Sequence, residues 1–205
     1  MAVITNYTTL QTAVGDYLAR DDLTTFIPNF IQNSEEKILR GLRLQFMETA
    51  LSGTISSGTL AVPADYLELK FAYIDGTPTQ WLERVSPEQV YKTYPNRSGD
   101  AKPILIAREG SNFIFGPFPD SGYTVQGIYW AKPTLLRDDG DGQNWFTDNA
   151  PDLLLYGALL EASPFIQHDE RIPLWRTMYQ ESLALVQRME RMENTSGGTL
   201  RTRVA

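Results

Sequence analysis

The feature that most limits how this chain can fold is a double change in hydrophobic period. Both ends repeat their apolar residues every three or four positions, and the middle repeats them every two. A period near 3.6 puts side chains on one stripe of a helix, and a period of two puts them on one face of a strand. Near the start, Leu10, Ala13, Val14, Tyr17 and Leu18 form such a stripe, with Thr8 as expected N-cap and Gln11 three residues on. A second helix is expected from Pro28 to Leu44, with Ile27, Phe30, Ile31, Ser34, Ile38, Gly41 and Leu42 on its buried face. Glu36 and Arg40 lie four apart on the opposite side, close enough for weak mutual support.

From Ser52 the pattern becomes strand-like. Gly53 to Leu60 reads as strand, turn, strand. Tyr66 to Ile74 carries Leu67, Leu69, Phe71 and Tyr73 at period two, the mark of one buried face. Thr79 to Val85 is a further strand, and Ser86-Pro87-Glu88-Gln89 opens a short helix. Ile104 to Arg108 and Asn112 to Phe115 flank a hairpin turn at Glu109-Gly110-Ser111. In Tyr123 to Ala131, Val125, Gly127 and Tyr129 alternate against Gln126, Ile128 and Trp130. Short strands bounded by Gly and Pro predict an antiparallel sheet folded on itself, a small barrel or sandwich.

After a loop from Leu136 to Asp148, Asn149 is the expected N-cap of a third long helix, with Pro151 and Asp152 in its first turn. Leu153, Leu154, Leu155, Tyr156, Ala158, Leu159 and Leu160 make that helix apolar on nearly every side. Such a helix must be covered on more than one face, by its own fold or by a neighbouring subunit. Beyond Pro164 and Pro173, a last helix from Leu174 to Glu193 repeats Trp175, Met178, Ser182, Leu185, Met189 and Met192 at three and four, a stripe expected to face the helical core. Ser196-Gly197-Gly198 ends it. The fold class is therefore α+β. The N- and C-terminal helices (1–50 and 148–193) form a bundle, an antiparallel β barrel or sandwich (51–147) is inserted between them, and an extended C-terminal tail (194–205) follows.

Composition narrows the chemistry. The absence of cysteine excludes disulfides, thiol nucleophiles and Cys-based metal sites, and a single histidine, His168, leaves one candidate for an imidazole base. Gly53 to Gly58 has phosphate-loop spacing, but Thr59-Leu60 stand where Lys and Ser/Thr are required. A calcium loop starting at Asp139 would meet Ala150 at its twelfth position in place of the bidentate Glu, and Gly140-Asp141-Gly142 lacks the third glycine of a dinucleotide fingerprint. No Gly-x-Ser-x-Gly elbow is present. No catalytic residue, cofactor or metal ligand is assigned, and the expectation is a protein that is not an enzyme. Paired carboxylates drawn from Glu35, Glu48 and Glu161 would be needed for a peptidoglycan hydrolase, the distant alternative.

The charge is −7, from 18 Lys+Arg against 25 Asp+Glu. A balance of that sign disfavours diffuse attraction to nucleic-acid phosphate. The start lacks a secretory pattern, and the most apolar run, Leu153 to Leu160, is too short to cross a bilayer, so no membrane role is expected. Only residues 194–205 are net positive, with Arg201 and Arg203 and no acid. A short basic tail released by glycines from an acidic body suggests a docking peptide.

Several stretches together resemble the head-to-tail adaptor proteins of short-tailed bacteriophages. They include Leu10-Gln11-x-Ala13-Val14 with Asp16-Tyr17-Leu18, Ile27-Pro28-x-Phe30-Ile31, and Glu35-x-x-Ile38 through Leu42-Arg43. Val62-Pro63-x-Asp65-Tyr66-Leu67, Phe115-x-Pro117-x-Pro119-Asp120 with Tyr123, Tyr129-Trp130, Pro133-x-Leu135 and Asn144-Trp145-Phe146 fit the same pattern, as does Pro151-Asp152 through Ala162. The resemblance implies a structural virion protein at the neck, assembled in the host cytoplasm as a homo-oligomeric ring, usually a dodecamer. The ring would sit between the portal protein and a tail nozzle or tube, with tail fibres as a further contact, and DNA would pass through its channel without specific binding. It further implies that Leu200, Arg201, Arg203 and Val204 anchor the tail in the portal, and that Leu153, Leu154, Tyr156, Leu159 and Leu160 make intersubunit contacts. A head-completion or stopper protein of a long-tailed phage is the near alternative.

Overall fold

A computed structural model describes residues 3–97, 101–140, 142–166 and 169–195. The chain forms two compact units, Met1–Phe46 with Thr134–Ala205, and Met47–Pro133. The architecture is α+β.

In the first unit, helix α1 (Tyr7–Leu18) starts two residues earlier than a cap at Thr8 would place it. Its N-cap is Asn6, which accepts from Thr9 N while the Thr9 hydroxyl accepts from Asn6 N, so the capping box runs Asn6–Thr9 and not Thr8–Gln11. Helix α2 (Ile27–Gly41) follows a 3-10 turn over Asp21–Phe26 and buries Ile27, Phe30, Ile31, Ser34, Ile38 and also Glu35. Asn144 caps a short helix α4 (Trp145–Asn149) with a second capping box to Thr147. Asn149 therefore closes α4, its side chain donating to Trp145 O, and α5 (Pro151–Ile166) begins after Ala150. Residues 134–147, expected with the β-rich part, pack with the helices, because Glu35 of α2 binds that segment at two points.

Helix α5 is continuous through Pro164. Proline supplies no N–H for Leu160 O, and Ser163 Oγ donates to that carbonyl at 2.7 Å instead. The helix packs against α1, α2, α4 and α6 (Ile172–Thr195). Its contact with α2 is close: a Cβ on Gly157 would lie 2.0 Å from Ser34 Oγ.

The second unit is a seven-stranded sheet in the order β1-β7-β3-β4-β5-β6-β2. The strands are β1 (Glu48–Thr54), β2 (Thr59–Ala61), β3 (Tyr66–Ile74), β4 (Gln80–Arg84), β5 (Leu105–Glu109), β6 (Asn112–Gly116) and β7 (Thr124–Ala131). All pairs are antiparallel except β4–β5, whose crossover contains α3 (Pro87–Thr93), capped by Ser86. The outermost strands β1 and β2 are joined by a turn with positive φ at Ser57 and Gly58, and Ser56 bridges Thr59, so the sheet nearly closes into a barrel. Its interior holds Leu51, Leu69, Ile74, Leu82, Ile106, Phe113, Phe115, Val125 and Tyr129. Helix α3 covers the outside of β5 and β6 through Val90, Leu105, Ala107 and Ile114.

Strand β3 departs from its alternation. Pairing with β7 slips at Leu69/Phe71, leaving Lys70 as the extra residue of a bulge. The slip moves Ala72 and Ile74 to the interior and turns Phe71 and Tyr73 outward, off the face that the period-two pattern assigned to them.

Candidate functional site

The expected portal anchor, Leu200, Arg201, Arg203 and Val204, lies outside the described residues, as do His168 and Asp141. The expected intersubunit residues are placed by the fold of the helical unit. Leu153, Leu154 and Leu159 are completely buried, and Tyr156 and Leu160 are half-buried. Tyr156 meets Tyr17 of α1 edge to face at 6.4 Å. The neighbour that covers α5 is the chain itself: a helix at the centre of a packed layer needs apolar residues all round, whether or not a second subunit is present.

Helix α6 differs in the opposite sense. Trp175 and Val186 point inward, and buried Ser182 donates to Asp152 of α5. Leu185, Met189 and Met192, expected in the core, are exposed. The heptad-like spacing holds, but the core reaches only the first part of that stripe, and the inward face passes to Val186. A second exposed apolar group gathers at the end of α5, where Phe165 packs on Phe26 and Phe30 with ring centroids 5.5 and 5.2 Å apart.

On the β unit, the outward turn of Phe71 and Tyr73 places them beside Trp81 of β4, each centroid 5.6 Å from the indole. Trp81 is 62% exposed. Tyr73 OH donates to Gln126 Oε1 at 2.9 Å, and Gln126 in turn donates to Asp75. Where β3 and β4 part, Arg84 donates to Leu69 O and a cleft of about 500 Å³ opens, lined by Tyr66, Arg84, Ser86, Gln89 and Arg108. The Arg108 guanidinium lies over the Tyr66 ring at 4.9 Å.

The three candidate carboxylates have separate duties. Glu161 is paired with Lys37 at 2.6 Å, and Glu48 with Lys70. Glu35 is 1% exposed and accepts from Leu136 N at 3.1 Å and from Asn144 Nδ2 at 2.7 Å. Burial pushes its pKa up to about 7, against the opposing effect of those two donors, and Asp138 and Glu36 add to the rise. A carboxyl with that pKa is the kind a general acid needs, yet Glu35 is enclosed by protein and its oxygens are engaged with the 134–144 segment. Its position was marked in the sequence, four residues after Ile31 and three before Ile38, inside the apolar stripe. Among the described residues no cluster of three or more His, Asp or Glu could hold a metal, and no helix is long and apolar enough to cross a membrane.

The geometry thus offers outward-facing apolar and aromatic surfaces. A family model for the SU10 adaptor protein matches residues 5–203 of the chain. No curated protein matches it.

Proposed function

The chain belongs to the SU10 adaptor family, a family of phage adaptors, and from that premise we propose that it is the head-to-tail adaptor of a short-tailed phage. Membership makes it a structural component of the virion neck, associated with portal and tail proteins. In the fuller reading, copies form a ring, of twelve as is usual for such adaptors, beneath the portal. The ring carries the nozzle or tube on its far side and surrounds the path of the DNA. A charge of −7 per copy suits a channel wall to which phosphate must not adhere.

The observation that carries this reading is the family match over almost the whole chain. The tail after Ser196 is the portal anchor in this reading, with Arg201 and Arg203 forming charge-assisted hydrogen bonds and Leu200 and Val204 filling small apolar depressions. Mass photometry of the protein with its portal ring tests it. The full chain adds a saturating set of copies to the ring, and deletion of Thr199 to Ala205 abolishes attachment while the circular dichroism spectrum is unchanged. Attachment of the truncated chain at full affinity refutes the anchor, and failure of the full chain to bind refutes the adaptor role.

A further inference from the structure

We infer that the β unit carries a strand-addition site, in which an extended acidic segment of a partner protein lies between the first half of β3 and the second half of β5, with a carboxylate held by Arg84 and Arg108.

The site follows from where the sheet splits. Strand β4 pairs with β3 at Ala72, Tyr73 and Ile74, then leaves it and pairs with β5 at Leu105 and Ile106. Each neighbour is therefore left bare along part of one edge. On β3, Leu69 O accepts from the Arg84 guanidinium where a paired strand would supply an N–H. On β5, Val85 N donates to Ile106 O at 3.0 Å, at the end of the β4 ladder. A strand turns the backbone groups of alternate residues to the same side, so those of Arg108 come next on this edge, and β4 has already ended at Arg84. The cleft between the two edges has buried Leu69, Ile106 and Phe113 among its apolar lining. Bare strand edges over an apolar pocket are what strand addition uses, the main chain giving affinity and the pocket taking alternate side chains.

Charge selects the occupant. The charged residues that line the cleft are Arg84 and Arg108. Arg108 makes no ion pair among the described residues. Its Nε donates to Gly110 O at 3.1 Å and its guanidinium lies over the Tyr66 ring, which fixes the plane of the fork. The acids nearby are engaged or face elsewhere. Glu68 lies 3.6 Å from Arg84, Glu88 pairs with Lys92, and Glu109 accepts from Tyr91 OH. Glu83 alternates to the face of β4 opposite Arg84. The same two arginines disfavour the chain's own basic end, which carries Arg201 and Arg203. A nucleic-acid strand would meet the arginines but has no peptide N–H and C=O groups for the bare edges, so an acidic peptide satisfies more of the site.

Fluorescence anisotropy of the full chain with a labelled peptide that alternates valine and aspartate tests the inference. The expected result is saturable binding that weakens about tenfold in Arg108→Gln, as loss of one charged hydrogen-bonding partner predicts. Binding is also expected to fall when lysine replaces aspartate in the peptide, and to vanish when alternate peptide nitrogens are methylated. Amide hydrogen exchange followed by NMR should slow at Arg108 when the peptide is bound. Arg84→Gln repeats the test should Arg108→Gln misfold. Equal binding of the methylated peptide overturns strand pairing, and equal binding of the lysine peptide overturns the charge selection. An absence of binding overturns the site and leaves the two arginines as guards of bare strand edges. Displacement of the peptide by single-stranded DNA that protects the same amide assigns the cleft to nucleic acid and overturns the proposal. The assay contains no portal, so its outcome is independent of the adaptor reading.

Discussion

Helices α5 and α6 are successive in the chain and packed together, and their apolar residues have opposite fates. Helix α5 is apolar on nearly every side, and its own unit buries it. Helix α6 has a clear apolar stripe, and part of it faces out. The amount of apolar surface on a helix therefore says how much cover it needs, and its position in the packed layer says who provides that cover. A central helix is covered by its neighbours in the chain. A peripheral helix that is apolar beyond its contact line leaves part of that stripe exposed.

The comparison breaks most readily at α5. Leu159→Ala removes a fully buried side chain and should destabilise the protein by about 2–5 kcal/mol in urea denaturation followed by circular dichroism. A loss below about 0.5 kcal/mol, the range of surface substitutions, would mean that α5 is loosely covered in the single chain.

The next effect concerns the cover itself. Glu35 ties α2 to the 134–144 segment, and its pKa near 7 stands above the usual carboxylate value. The folded protein then takes up a proton between about pH 7 and 4.5 that the unfolded chain does not, so this group adds stability as pH falls through that window. Relative to a Glu35→Gln variant, which lacks the titration, the wild type should gain on the order of 2–3 kcal/mol between pH 8 and pH 5. Parallel stability profiles of the two proteins would show that Glu35 titrates normally. Asn144 sharpens the point: its Oδ1 is committed to Phe146 N and Thr147 N, so its Nδ2 must find an acceptor at position 35.

The smallest effect lies on α6. Leu185→Ala should change the stability of the isolated chain by no more than about 0.5 kcal/mol, since the side chain is already in water. A larger loss would place Leu185 in the unit's own core and remove the contrast with α5.

Much of the fold was legible in the sequence because its signals are local. The spacing of Leu10 to Leu18 and the alternation of Val125, Gly127 and Tyr129 each specify an element without reference to the rest of the chain. The caps were local too, yet the expected ones did not hold: Asn6 caps α1 in place of Thr8, and Asn149 closes α4, which Asn144 caps. Only hydrogen-bond geometry distinguishes one nearby polar side chain from the next. The bulge at Lys70 was hidden for a different reason. Phe71, Ala72, Tyr73 and Ile74 are all compatible with burial, so a slip by one residue leaves the composition of either face acceptable.

The family was legible in scattered short stretches, and the exposed surfaces were not. By itself the sequence determined the order of the long helices and of the strands (though not the short α4), the lack of cysteine chemistry, and a negative body with a positive end, because those properties belong to residues and their near neighbours. The tertiary structure alone decided that α5 is enclosed, that α6 is partly bare, that Trp81 gains Phe71 and Tyr73 as outward companions, and that Glu35 is buried. Burial is set by which distant segments arrive at a side chain, and no local period carries that information.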